Sequence, residues 1–508
     1  MNYFCASAKN NVISLLSMKN QVQSNVIINL IRTVTMTLLS FVTFPYICRV
    51  LGDSALGAYS WAAAFVYYFV VLAKVAIPNI AVRECVKVRN DPDELSTKVQ
   101  EFFIIQSVAT IISFGLMTLL VFTIPALRES KTLIFILSIG FLTNVLTFEW
   151  VFQSYEKHTY LAIRSIIIAC VVDIIIFATI RRPENVVLYS FLVVLTSVLT
   201  MLSNLVYMPK IVKFKKARPY NFKQYLPILS VLLIIAFVGS LYDKTDTFIL
   251  GLIDPSKASV GSYTVGVKSI EIVLGIVMSL SAVFVPRAVY YQEKQDEKQF
   301  NNLNMYAGNI TLLIVLPAIA FSTTLAGSIT KVISGLTGYE DSGTILIVLA
   351  SMMATFAICN IIYTQILIPQ KKEKYYLYII LASVVLNAAL SCIFGIVVFK
   401  NNPAIGVAVG TAVTDFLMMS CLIALTWKNS KQIIFNTNNI KLVVLAGLIS
   451  ITNILIKQPI EQAFLKSMDM ETTLWVEIFV VLLIDAVIYV FGLILTKEKF
   501  VRSLKLKR

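Results

Sequence analysis

The stretch Leu241-Tyr-Asp-Lys-Thr-Asp-Thr-Phe-Ile-Leu-Gly251 decides how this chain is read. It lies inside a long apolar run, residues 225–253, yet places Asp243, Lys244 and Asp246 within four positions. Near a bilayer centre each such charge opposes insertion by about 2.5–3.5 kcal/mol. Charges persist there when they face a bundle interior or a watery cavity. On a helix Asp243 and Asp246 share a face, and Lys244 points about 100° away. The carboxylates can pair with a cation on another helix and lock the bundle, or line a path for a charged or hydroxylated substrate. The residues leave both readings open.

Working outward, the whole chain shares this apolar setting. Of its 508 residues, 58% are hydrophobic and 14% charged, with a mean hydropathy of +0.81. A soluble domain is nearer half apolar and a quarter charged. Apolar runs of about 20 residues recur from end to end, which predicts an all-α, polytopic helical membrane protein. Barrel strands would alternate over about ten residues, and these runs do not. Fourteen spans are expected: 24–47, 55–77, 102–125, 132–154, 160–180, 186–208, 225–251, 260–285, 304–327, 344–368, 375–398, 404–427, 438–456 and 474–496. Residues 1–23 are polar and lack an apolar core followed by a cleavage site, so the first helix is expected to direct insertion without a cleaved signal peptide.

The formal net charge is +15. In a soluble protein that would suggest nucleic acid; here it is expected in cytoplasmic loops. With the N-terminus placed in the cytoplasm, 29 Lys and Arg fall in cytoplasmic segments, with Arg164 and Lys441 at the neighbouring span ends counted among them, and 10 in opposite ones; the other four lie within spans. That split predicts both termini cytoplasmic, with Arg181-Arg182 as the exception. The longest basic connection, Lys210-Ile-Val-Lys-Phe-Lys-Lys-Ala-Arg-Pro219, follows the sixth span. It divides the chain into an N-terminal lobe (residues 1–209, spans 1–6), a C-terminal lobe (210–430, spans 7–12) and an appendix (431–508) of two spans and a basic tail. The connections are short, so no soluble domain is inserted.

Other ionisable residues fall at membrane depth. Arg32 lies eight residues into span 1, about 12 Å from its start. Asp173 is deep in span 5, without a local partner. Lys268 and Glu271 in span 8 are three apart and can pair. Asp415 sits in the middle of span 12 and Asp485 in span 14, while Glu149, beside Trp150, suits an interfacial capping or pairing role. Charge on helices of both lobes predicts a polar cavity between them. The seven scattered cysteines read as small apolar helix residues, and His158, the only histidine, as a solvated loop residue. No Gly-rich phosphate loop, H-E-x-x-H or nucleophile elbow is present, so neither an enzyme nor a cofactor or metal site is expected. Lacking a Walker motif, transport would draw on an ion gradient or on the substrate's own gradient.

A family resemblance runs through these residues. Phe44-Pro-Tyr-Ile-Cys-Arg-Val-Leu-Gly52 resembles the F-P-Y-x-x-R-V-L-G signature of Wzx-type oligosaccharide flippases. Ile77-Pro-Asn-Ile-Ala-Val-Arg-Glu84, Val88-Arg-Asn-Asp91 and Leu95-Ser96 follow in family order. Trp150-Val-Phe-Gln-Ser-Tyr-Glu-Lys157 looks like the family's W-x-F-Q-G-x-E-x motif, with Ser154 in place of Gly, and Ile163-Arg-Ser-Ile166 comes after it. The opening stretch resembles its span-7 motif. Gly261-Ser-Tyr263, Val285-Pro-Arg287 and Gln365-Ile-Leu-Ile-Pro369 with Lys371 and Lys372 also fit.

The resemblance, over residues 20–430, places the chain in the MOP exporter superfamily with a MATE-like architecture. It implies two six-helix lobes around a central cavity that opens alternately to each side. It also implies a substrate of repeat-unit glycan on undecaprenyl diphosphate, flipped across the bacterial inner membrane for O-antigen, capsule or exopolysaccharide. A polysaccharide polymerase and a chain-length regulator would be partners, with H+ or Na+ as coupling ion. Cationic family cavities favour Arg32, Arg49, Lys244 and Lys268 as substrate contacts. Asp173, Asp243, Asp246, Glu271 and Asp415 are left as ion-coupling or structural charges. Two other classes compete: a drug/cation antiporter of the same superfamily, which needs acidic cavity residues, and a membrane glycosyltransferase or polymerase, disfavoured by the short loops.

Overall fold

The computed structural model describes the backbone of residues 2–215, 218–465 and 468–496, and side chains from residue 28 onward except at 30, 79, 272 and 282. The basic tail expected after residue 496 lies outside the described residues, as do two residues of the basic connection. Among the described residues the chain forms helices and no strand. They are α1 (Asn2–Lys74), α2 (Ile77–Lys87), α3 (Pro92–Thr123), α4 (Pro125–Glu129), α5 (Lys131–Asn144), α6 (Glu149–Ser154), α7 (His158–Thr179), α8 (Val186–Tyr207) and α9 (Leu226–Ile253). They continue with α10 (Ala258–Glu293), α11 (Glu297–Thr324), α12 (Ala326–Ser334), α13 (Ser342–Ile361), α14 (Glu373–Ile393), α15 (Pro403–Leu425), α16 (Trp427–Ile434), α17 (Thr437–Leu465) and α18 (Met470–Leu495).

Among the described residues, thirteen helical stretches are long and apolar enough to cross a membrane. The first, Ile31–Lys74, has 44 residues. At helical rise it runs about 66 Å, twice a hydrocarbon core of about 30 Å. The first two expected spans therefore share one helix assignment, interrupted at Gly52, whose φ of 74° and ψ of 174° are open in practice only to glycine. Elsewhere the structure breaks spans that the apolar pattern draws as continuous. The fourth is divided between α5 and α6, with Phe148 at a φ of 47° between them. The tenth and eleventh end in π-helical turns, Ile362–Leu367 and Phe394–Val398.

Two compact units result. One takes the chain up to Phe44 and Phe65–Phe237; the other takes Pro45–Ala64 and the chain from Val238 onward. The first is built on an aromatic core in which Phe102, Phe148, Trp150 and Phe152 pack with Val99, Leu161 and Tyr225. In the second, Ile358, Ile362, Ile366, Met418 and Leu422 form one cluster, and Leu312, Leu442, Leu445 and Leu493 another. Large apolar side chains also point outward: Ile111 on α3, Ile174 on α7, Val385 on α14 and Val487 on α18 are each about two-thirds exposed or more. Apolar faces on both sides of a helix are what lipid as solvent requires. Outside the spans, Asp91 caps α3 by accepting from the Asp93 and Glu94 amides at 3.1 and 3.0 Å. The Glu94 amide, aided by Arg218, holds its carboxyl below the usual carboxylate range.

Candidate functional site

α9 turns Asp246 inward, at 7% exposure. Asp243, one short turn earlier, is exposed and pairs with its neighbour Lys244 at 3.1 Å. Residues three apart differ by about 60° around a helix axis, enough to put one inside and one outside. The structure thus separates two carboxylates that share a face in sequence.

Asp246 is met by three other helices of the second unit. Tyr263 of α10 donates its hydroxyl to Oδ2 at 2.7 Å, and Thr411 of α15 donates to the same oxygen at 2.7 Å. Ser391 of α14 donates to Oδ1 at 3.3 Å and lies 3.2 Å from Asn387 Oδ1. Asn387 in turn donates to the Thr411 hydroxyl at 3.3 Å. Glycines bring α15 close enough for this. A Cβ on Gly410 would sit 3.0 Å from the Ser391 backbone nitrogen, and one on Gly406 would overlap the Phe394 carbonyl. Small residues at such contacts let membrane helices approach closely. One turn on from Thr411, Asp415, also 7% exposed, accepts a hydrogen bond from Tyr242 of α9.

Among the described residues no Lys or Arg pairs with Asp246 or Asp415. Two buried carboxylates without a cation cost several kcal/mol each if both are ionised. The surrounding donors are all oxygen or carboxamide groups, chemistry suited to holding a proton or a hard cation. No cluster of three or more His, Cys, Asp or Glu that could hold a metal occurs among the described residues.

The other expected site residues are dispersed. Arg49 forms an ion pair with Glu471 of α18 and donates to the Val332 carbonyl at 2.5 Å, tying its own segment to α12 and α18. Lys268 and Glu271 pair with each other at 2.6 Å on an exposed face of α10. In the first unit, Arg32 is half-buried on α1 and has no ion pair among the described residues. Asp173 is half-buried on α7 near the Thr43 hydroxyl, without closing a hydrogen bond to it.

Several buried polar groups escape a sequence reading. Glu149 does pair, at 2.5 Å, and its partner is Arg164 of α7, which is 6% exposed and also donates to Asn204 Oδ1 at 2.5 Å. The I-R-S-I segment contained that arginine, but its place one turn into span 5 suggested a loop charge. Lys257, between α9 and α10, is buried with its ammonium 4.1 Å from the Trp61 ring centre and donates to the Gly251 carbonyl. Glu477 of α18 is fully buried and accepts from Ser328 at 2.9 Å; Asp485, expected at membrane depth, is buried on the same helix and accepts from Asn453 at 3.0 Å.

The family model described as polysaccharide biosynthesis protein matches residues 22–292, more than half the chain. The "Putative O-antigen transporter" of Escherichia coli (strain K12) is 21% identical over 408 residues, which is 78% of this chain and 94% of the relative. Among solved structures, lipid II flippase MurJ in an inward closed conformation superposes with a TM-score of 0.69 at 17% identity, covering 94% of this chain and 99% of MurJ. An inward-facing multidrug resistance MATE family transporter of the MOP superfamily gives a TM-score of 0.58 at 14% identity, over 78% of this chain and 98% of that one. At these identities the two structures show the fold alone, and that fold is the MATE-like one. The chain is a multi-pass helical membrane protein of this architecture, and it belongs to the polysaccharide biosynthesis protein family.

Proposed function

We propose that this chain flips an undecaprenyl-diphosphate-linked oligosaccharide repeat unit across the bacterial inner membrane by alternating access. Both termini would be cytoplasmic, and the units delivered would feed a polysaccharide polymerase and its chain-length regulator for O-antigen, capsule or exopolysaccharide. The family match and the name of the E. coli relative support the glycan class. The observation that carries the substrate chemistry is Arg32. It is a half-buried cation on an apolar helix with no carboxylate partner among the described residues. A diphosphate offers several strong acceptors, and arginine can bind phosphate bidentately. Lys244 is a second contact in this reading. Arg49 and Lys268, each held in an ion pair, are weaker ones. The Asp246–Asp415 cluster would take the coupling H+ or Na+.

The same cluster favours a second reading, a drug/cation antiporter, because such a protein needs acidic groups at depth. One experiment separates the two. In a strain lacking its own copy, the chain restores surface polysaccharide, and Arg32→Gln lowers that restoration at least tenfold at equal membrane abundance. Drug resistance without restored polysaccharide overturns the flippase reading. Full activity of Arg32→Gln removes Arg32 from substrate binding.

A further inference from the structure

The first unit contains a cavity of about 190 Å³ that the Asp246 cluster does not use. Its walls come from the end of α1, α2, α3, α5, α6 and α8, all within that unit. Gln106, Asn144 and Gln153 bring carboxamides to it, and Thr196, Ser197 and Thr200 bring hydroxyls. None of these six side chains makes a hydrogen bond among the described residues. Some serines and threonines of these helices return theirs to the carbonyl four residues back, as Ser190 does to Val186 at 2.8 Å and Ser107 to Phe103 at 2.7 Å. Gln106 is only 3% exposed and lines the cavity. A buried amide left without a partner is costly, and more so in a membrane protein.

The chain also breaks its helices here. Val75 and Ala76, between Lys74 and α2, have φ values of 48° and 52°, and Phe148, just before α6, has 47°. A β-branched residue at positive φ is a genuine outlier. Both breaks abut residues that line the cavity: Lys74 and Pro78 at one, Asn144, Glu149 and Trp150 at the other. Irregular backbone at membrane depth is tolerated where it is buried or lines a polar cavity, and broken helices of transporters often form substrate sites.

The lining indicates the class of ligand. Lys74 and Glu149 bring opposite charges, and Glu149 is engaged with Arg164. One lysine beside an already paired carboxylate is a poor phosphate site, which calls for converging cations or backbone amides. Carboxamides and hydroxyls instead match the alternating donors and acceptors of a sugar's hydroxyl groups. Trp150 adds an apolar ring and an indole Nε1–H without a hydrogen-bond partner among the described residues. The volume suits one ring and no longer oligosaccharide. We propose that this cavity is a subsite for a single pyranose unit of the glycan. As the glycan's identity is part of the proposed function, the inference rests on that reading.

Saturation-transfer difference NMR on the full chain in lipid nanodiscs tests it, with glucose, galactose, N-acetylglucosamine, N-acetylgalactosamine, rhamnose and glucuronic acid as probes. At least one pyranose should receive saturation, and inorganic phosphate should not displace it. Gln106→Met and Thr200→Val, which keep volume and remove polar groups, should each weaken that sugar at least tenfold. Thr200→Val decides alone if Gln106→Met does not purify as a monodisperse protein. No transfer to any probe, unchanged affinity in the variants, or displacement by phosphate overturns the subsite. The readout needs no transport. A chain that binds a sugar but fails to restore surface polysaccharide removes the flippase reading alone, and one that restores polymer but binds no sugar removes the subsite alone.

Discussion

At Asp246 three hydroxyl groups from three helices converge on one carboxylate, and a carboxamide supports two of them. Each donor is a hydrogen bond between membrane helices, a class that averages about 0.6 kcal/mol and reaches about 1.7. Thr411→Val should therefore lower thermal stability in detergent by an amount in that range, with the fold intact. Asp246→Asn keeps the side chain's shape and removes its charge. If Asp246 couples an ion, this variant should reach the membrane at normal abundance and restore surface polysaccharide at least tenfold less well than the parent. Normal restoration by Asp246→Asn would reduce the cluster to scaffolding. Asp243 offers a control on the same helix: exposed and paired with Lys244, it contributes nothing to this network. Spacing alone put the two carboxylates together, because three residues is close to one turn. The 60° left over decides which of them meets α14 and α15.

The elements carry their own devices, and most are interruptions. Gly52 ends the F-P-Y signature at a φ of 74°, where the 73-residue α1 departs from helical geometry. A side chain there is strained, and such conformations cost of order 1–3 kcal/mol. Gly52→Ala should lower the unfolding transition by that amount, measured in detergent against a Gly→Ala change at Gly115. That glycine lies mid-helix with nothing within 4 Å of an added Cβ. An equal or smaller effect at Gly52 would show the break to be dispensable. The glycine is visible in the sequence as part of a motif, but the breaks at Val75–Ala76 and Phe148 are not. Neither site contains glycine, and nothing in a run such as Leu142-Thr-Asn-Val-Leu-Thr-Phe148 announces a left-handed residue. Those conformations are imposed by packing, with Phe148 and Trp150 at 3% and 4% exposure in the aromatic core. For the same reason Arg164 reads as a loop charge until α7 and α8 bury it against Glu149 and Asn204.

At the scale of the whole molecule the charge asymmetry makes an orientation testable. With 29 basic residues in one set of connections and 10 in the other, a single cysteine replacing Lys213 in a cysteine-free chain should resist an impermeant maleimide in intact cells and react after permeabilisation. One replacing Lys131 should behave in the opposite way. Labelling of position 213 from outside would reverse the topology. Hydropathy and the succession of weak motifs were enough to determine a helical membrane protein and its family. Those are properties that lipid as a solvent imposes on every helix separately. Which charges are buried, and against what, was decided only by the tertiary structure. Burial of Asp246 depends on α10, α14 and α15 arriving from 17 to 165 residues away. A single helix's periodicity holds no information about partners that distant.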